Sequence, residues 1–225
     1  MARVTRTDVG NQLYHVLNRA NARATIFESD AEYQLFEATL GEAVEKFSMR
    51  LLAYCLMPNH WHLVLYPRND GDLSAFMGWL TNAHTRRWHV ATKTVGHGHL
   101  YQGRYKSFLC QTDLYFLTLV RYVERNAKKA NLIHKAEAWR WGSAWRRIHG
   151  TAAQRKLLSS WPVEEPANYL TLLNKPQTEA EEQVIERSTE KNIPFGSEWW
   201  VSGMVKKYGL EQSLRTVGRP RRNGG

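Results

Sequence analysis

Four side chains in this sequence could do chemistry together. His60 and His62 lie one residue apart in Pro58-Asn59-His60-Trp61-His62-Leu63-Val64, and Tyr122 and Asn126 lie four apart in Arg121-Tyr122-Val123-Glu124-Arg125-Asn126. In a strand, positions i and i+2 point to the same face, so the two imidazoles would stand side by side while Trp61 and Leu63 turn away and pack. Neighbouring imidazoles are half of a metal site. On a helix, residues one turn apart share a face, so the Tyr122 phenol and the Asn126 carboxamide travel together. If that face meets the histidine strand, two imidazoles and one amide oxygen would suit Mg²⁺ or Mn²⁺ gripping a phosphate oxygen. The phenol would then be placed for in-line attack on that phosphate, leaving a covalent phosphotyrosine.

Each motif alone is weak. A His-x-His in a strand is often structural, and a single helical Tyr is ordinarily a half-buried aromatic. Tyr115, on nearly the same face, reads as core filling because no amide or imidazole follows it by one turn, and Glu124 reads as solvated. His97 and His99 sit in a Gly-rich loop and are discounted as a second metal pair.

The elements that would position these groups follow from periodicity. Gln12 to Asn18 alternates as a strand, and a helix with Asp30 as N-cap carries Tyr33, Phe36, Leu40, Val44 and Phe47 on one stripe. Two strands, 51–57 and 60–66, flank Pro58-Asn59, and Pro67 to Gly71 makes a turn. A second helix spans about 72–91, a short strand about 104–110, and a third helix, capped by Thr112 or Asp113, runs to about Lys129. The order β-α-β-β-α-β, then α, predicts an α+β, ferredoxin-like antiparallel sheet with two helices on one face, the tyrosine-bearing helix after it and a small helical C-terminal extension. The domain boundaries expected are 1–150 for the main unit, 151–192 for a linker and acidic, solvated helical segment, and 193–225 for the extension.

A net charge of +10 points to a polyanion, with nucleic acid the first candidate. Between Arg104 and Lys156 twelve Lys/Arg face only Asp113, Glu124 and Glu137, which places the basic surface around the third helix. From Glu164 to Glu198 the sign reverses. The longest apolar run falls far short of the roughly 20 residues of a membrane span, and no apolar signal core follows the N-terminus. A cytoplasmic, nucleoid-associated location is expected. Cys55 and Cys110, in apolar runs, read as reduced core residues.

Together Leu56-Met57-Pro58-Asn59-His60-Trp61-His62-Leu63, Gly98-His99-Leu100-Tyr101-Gln102-Gly103-Arg104-Tyr105-Lys106-Ser107, and Arg121-Tyr122 with Asn126 resemble the HUH single-tyrosine transposases, and most of all their REP-associated branch. The likeness spans about Tyr14 to Trp145. It implies metal-dependent nicking and rejoining of single-stranded DNA through a 5′-phosphotyrosine at Tyr122, with REP-type hairpins as substrate, and a monomer, a homodimer being the alternative. One departure is that Asn126 is followed by Ala127 and Lys128 where the family often has Pro, so the helix should run on.

Arg104, Lys106, Arg86, Arg87, Arg121, Arg125, Lys128 and Lys129 are the DNA-binding candidates in the body of the chain, and Arg219, Arg221 and Arg222 those in an AT-hook-like tail. Trp139, Trp141 and Trp145, interleaved with arginines, read first as a sealed domain edge and second as a base-stacking surface. Two rivals remain at this level: a hairpin-binding regulator that cuts nothing, and a metal-dependent hydrolase that uses water in place of tyrosine.

Overall fold

The computed structural model describes residues 7–214; the tail arginines Arg219, Arg221 and Arg222 lie outside this range. Strand β1 (Leu13–Arg19) leads through a short loop to helix α1 (Asp30–Lys46), then to strands β2 (Arg50–Met57) and β3 (His60–Tyr66). Helix α2 (Asp72–Ala91), strand β4 (Lys106–Cys110) and helix α3 (Leu114–Glu124) follow. The remainder is helical: α4 (Asn126–Lys129), α5 (Ser143–His149), α6 (Ala152–Arg155), α7 (Tyr169–Asn174), α8 (Glu179–Lys191), α9 (Glu198–Tyr208) and α10 (Glu211–Leu214).

The four strands form one antiparallel sheet in the order β2-β3-β1-β4. This is the ferredoxin-like βαββαβ arrangement, with both connecting helices on one face. Strand alternation divides the side chains cleanly. Val16 of β1, Leu56 of β2, and Trp61, Leu63 and Leu65 of β3 pack with Phe36 and Leu40 of α1 and Phe76, Met77 and Leu80 of α2. The opposite set, including Leu13, Cys55, Val64, Phe108 and Cys110, packs with Phe116, Leu119, Val120 and Val123 of α3. A large aromatic fully withdrawn from water, such as Trp61, contributes on the order of 3 kcal/mol.

Local differences from expectation have physical reasons. Ser29 precedes α1 as its cap, its N–H bonding the Glu32 carboxylate at 3.0 Å, so Asp30 is the first helical residue. Asp113 caps α3 by accepting from the Tyr115 N–H at 2.9 Å. Strand β4 starts at Lys106 because Tyr101 bridges Ala20 and the Gln102 N–H bonds the Arg19 carbonyl, which takes Gln102, Gly103 and Arg104 out of the ladder. Both cysteines are buried and free.

The segment after residue 150, expected as a linker and a solvated helix, is packed onto α3. Trp161 Nε1 bonds the Leu52 carbonyl, while Tyr169, Leu173 and Ile185 are buried beside α3. Glu124 is buried as well, accepting hydrogen bonds from Ser143, Arg147 and Tyr169. Its carboxylate ties the tyrosine helix to α5 and α7, whose groups satisfy it inside the protein. Further along, Phe195 exchanges backbone hydrogen bonds with Leu109 and Gln111, covering part of the β4 edge.

Candidate active site

The histidine strand sits at the centre of the sheet, with His62 opposite Leu17 on one side and Cys55 on the other. His60 and His62 point to the α3 face with ring centroids 5.0 Å apart. The His60 Nδ1 is engaged by the Asn59 side-chain oxygen at 2.6 Å, so Nε2 is the nitrogen left for a ligand. The His62 Nδ1 lies 2.9 Å from Nε2 of a third imidazole, His15 on β1.

From the other side comes α3, anchored by Phe116, Leu119, Val120 and Val123. This stripe turns Tyr122 toward the imidazoles: its ring centroid is 5.9 Å from that of His62 and 6.4 Å from that of His15, edge-on to both. Arg125 keeps a helical backbone between α3 and α4, and the Lys129 N–H bonds its carbonyl, so the chain stays helical to Lys129 as the missing Pro implied. Asn126 therefore remains one turn from Tyr122, with its Nδ2 3.2 Å from the His62 Nε2. Tyr122, His60 and His62 line one cleft of about 310 Å³ with Leu17, Arg19, Gln102, Lys106, Glu186, Thr189 and Glu190.

Burial sets the protonation of these groups. It lowers His60 to about 4 and His15 to about 3 and holds His62 well below the usual imidazole range. Arg19 adds to the lowering at His60 and His62, while the Asn126 amide works against it at His60. All three rings are thus neutral near pH 7, the form that binds metal. Burial also raises the Tyr122 phenol; the nearby Lys129 ammonium opposes that, and Glu186 and Glu182 reinforce it.

Among the described residues no group of three or more His, Cys, Asp or Glu converges on a metal-sized point. The donors available are the Nε2 atoms of His60 and His62 and, after a half-turn of its amide, the Asn126 oxygen. That set fits Mg²⁺ or Mn²⁺ only with further oxygens from water or a phosphate, a usual condition for these ions at phosphate sites.

The other basic candidates separate. Lys106 lines the cleft, and Arg104 lines the neighbouring groove between α2 and the segment 99–105. Arg125 bonds the Leu173 carbonyl, Lys128 the Asn174 carbonyl, Lys129 the carboxylates of Glu182 and Glu186, and Arg121 reaches Lys175. Arg86 and Arg87 lie on the far helical layer, where Arg87 is paired with Glu42. His84, on the same helix, is buried against Phe27, Phe36 and Tyr101. Trp141 stacks on Tyr33 and Trp139 bonds the Leu56 carbonyl, both part of the domain edge; Tyr115 packs on Phe195.

Sequence reading missed Arg19, which lines the cleft, and His15, buried behind His62, both brought there only through strand pairing, and the acidic wall from α8. The alternation of His15 and Leu17 on one strand face was the available signal. Arg19 has a buried Nε without a hydrogen-bond partner.

The model of the family described as "Transposase IS200 like" matches residues 8–126. The chain belongs to this family. Its fold is that of a REP-associated tyrosine transposase solved bound to a REP hairpin, at TM-score 0.56 and 14% identity, with 74% of this chain and 96% of that one covered. Looser likenesses are a presumed transposase from Deinococcus radiodurans (TM-score 0.41, 19% identity, 56% and 97% covered) and tRNA(His) guanylyltransferase from Saccharomyces cerevisiae (TM-score 0.38, 12% identity, 73% and 86% covered). Neither bears on function. No curated protein sequence matches this IS200-like chain at a significant level. Among its described residues no helix is long and apolar enough to cross a membrane.

Proposed function

We propose that this transposase is a metal-dependent single-stranded DNA endonuclease and strand transferase that works through Tyr122. The observation carrying this reading is the meeting of Tyr122 with His60 and His62 at one cleft, with Asn126 against His62, from elements some sixty residues apart in the chain. His60, His62 and Asn126 would hold Mg²⁺ or Mn²⁺. When bound, the ion supplies Lewis-acid polarisation of a phosphate oxygen. These three ligands are all neutral, so they leave the ion's charge undiminished for a phosphate.

Tyr122 Oη attacks the scissile phosphorus, the bond from phosphorus to the 3′ oxygen breaks, and the phenol proton is lost as the freed 3′ oxygen becomes a hydroxyl. The 5′ phosphate stays on Tyr122. Return attack by a 3′ hydroxyl remakes a phosphodiester and releases the phenol, so strands can be joined without an external energy source. Arg19 and Lys106 line the cleft with positive charge for the flanking phosphates. The hairpin substrate is supported by the fold shared with a protein solved on a REP hairpin. Arg104 would contact the same DNA from the adjoining groove.

One observation favours the non-cleaving regulator: Glu186 and Glu190 stand in the cleft, and Lys129 is committed to Glu182 and Glu186. Incubating end-labelled hairpin DNA carrying single-stranded flanks with Mn²⁺ or Mg²⁺ separates the readings. The transferase gives a nick and a protein-linked fragment, both lost in Tyr122→Phe. A hydrolase keeps nicking in that variant, and a regulator binds the hairpin without nicking it.

A further inference from the structure

Resting on that reading of the site, we propose that His15 is a positioning residue that fixes which nitrogen of His62 is offered to the metal. His15 and His62 are both buried, come from neighbouring strands, and are stacked at 5.1 Å between centroids with planes 22° apart. Two imidazole nitrogens 2.9 Å apart can share only one proton, so one ring must donate and the other accept.

The metal-ligand role read for the His62 Nε2 and the Asn126 contact point to the same direction. An amide N–H reaching the His62 Nε2 requires a lone pair there, so the His62 proton is on Nδ1 and is donated to the His15 Nε2. That tautomer leaves Nε2 free for a metal. The reverse arrangement would put a proton on Nε2, in the metal's place.

His15 is itself held firmly. It sits in the middle of β1, opposite Val64 and Phe108, with its ring 4.9 Å from that of Phe108. It therefore occupies the place that a carboxylate or backbone carbonyl usually takes behind a metal-binding histidine. His60 has an equivalent support in Asn59. Both supports are uncharged, so neither adds negative charge behind the ligands.

The test compares His15→Gln, whose amide oxygen can still accept from His62, with His15→Leu, which fills space and accepts nothing. Mn²⁺ affinity, followed by electron paramagnetic resonance or calorimetry, should fall about 10- to 100-fold in His15→Leu and be largely restored in His15→Gln. In the metal-free wild type, ¹⁵N correlation spectra of the imidazoles should show His62 protonated at Nδ1, a measurement that does not depend on any variant folding. A His62 proton on Nε2 overturns the inference, as do equal losses in both variants, which would indicate packing alone. Wild-type affinity in His15→Leu overturns this inference and leaves the proposed function standing; a wild type that binds no Mn²⁺ overturns both.

Discussion

On the face covered by α1 and α2, Trp61, Leu63 and Leu65 are sealed among aromatic and aliphatic side chains, where Trp61 Nε1 donates to Tyr101 Oη and that hydroxyl pairs with His84 Nδ1. On the face covered by α3, the alternate residues His60 and His62 end at a cleft, with Tyr122, Asn126 and Arg19 around them. One strand thus turns Trp61, Leu63 and Leu65 to one packed face and the imidazoles of His60 and His62 to the other. The period of two lets stability and activity be set by adjacent residues with little interference. Substitutions one position apart should therefore have different consequences.

The largest expected effect is Tyr122→Phe, which should abolish the DNA adduct while leaving the melting temperature near that of wild type; Tyr115→Phe, on the same helix, should still form adduct. Next, Trp61→Ala should cost about 3–5 kcal/mol in denaturant unfolding, because it empties the packed face. His62→Ala, its neighbour, should weaken Mn²⁺ binding by at least about tenfold with a smaller loss of stability. Similar stability losses for the two would break the division between faces.

Acidification should come next in size. Burial depresses His15, His60, His62 and His84, so below about 6.5 the unfolded chain takes up protons that the folded chain refuses. Their contribution to stability is complete above that pH and is lost as the pH falls through the window from about 6.5 down to about 3. Thermal melts at pH 7.5, 6 and 5 should show a steady decline, and a flat profile would contradict neutral buried rings. The smallest effect belongs to Arg87→Ala on the distant helical layer: within about 1 kcal/mol in stability, with hairpin affinity unchanged. A drop in hairpin affinity there would extend the DNA path to that layer.

The strand and helix order was legible because hydrophobic period changes sharply between segments, and the His60/His62 and Tyr122/Asn126 spacings each define a shared face. What joined the two pairs was the register of β1 with β3 and the seating of α3, which no local pattern encodes. His15 escaped notice for the same reason, being 47 residues from His62 in sequence and beside it in space. Glu124 looked solvated because its partners, Ser143, Arg147 and Tyr169, come from distant elements. The segment containing α7 and α8 reads as acidic and open because only a few of its residues, Tyr169, Leu173 and Ile185, make its contact with α3.

The most direct test of the central claim is to trap the protein with hairpin DNA and Mn²⁺, digest it, and locate the attached nucleotide by mass spectrometry. A 5′-phosphonucleotide is expected on the peptide carrying Tyr122 and on no other. An adduct on Tyr115 or any other residue, or cleavage with no adduct at all, would contradict it.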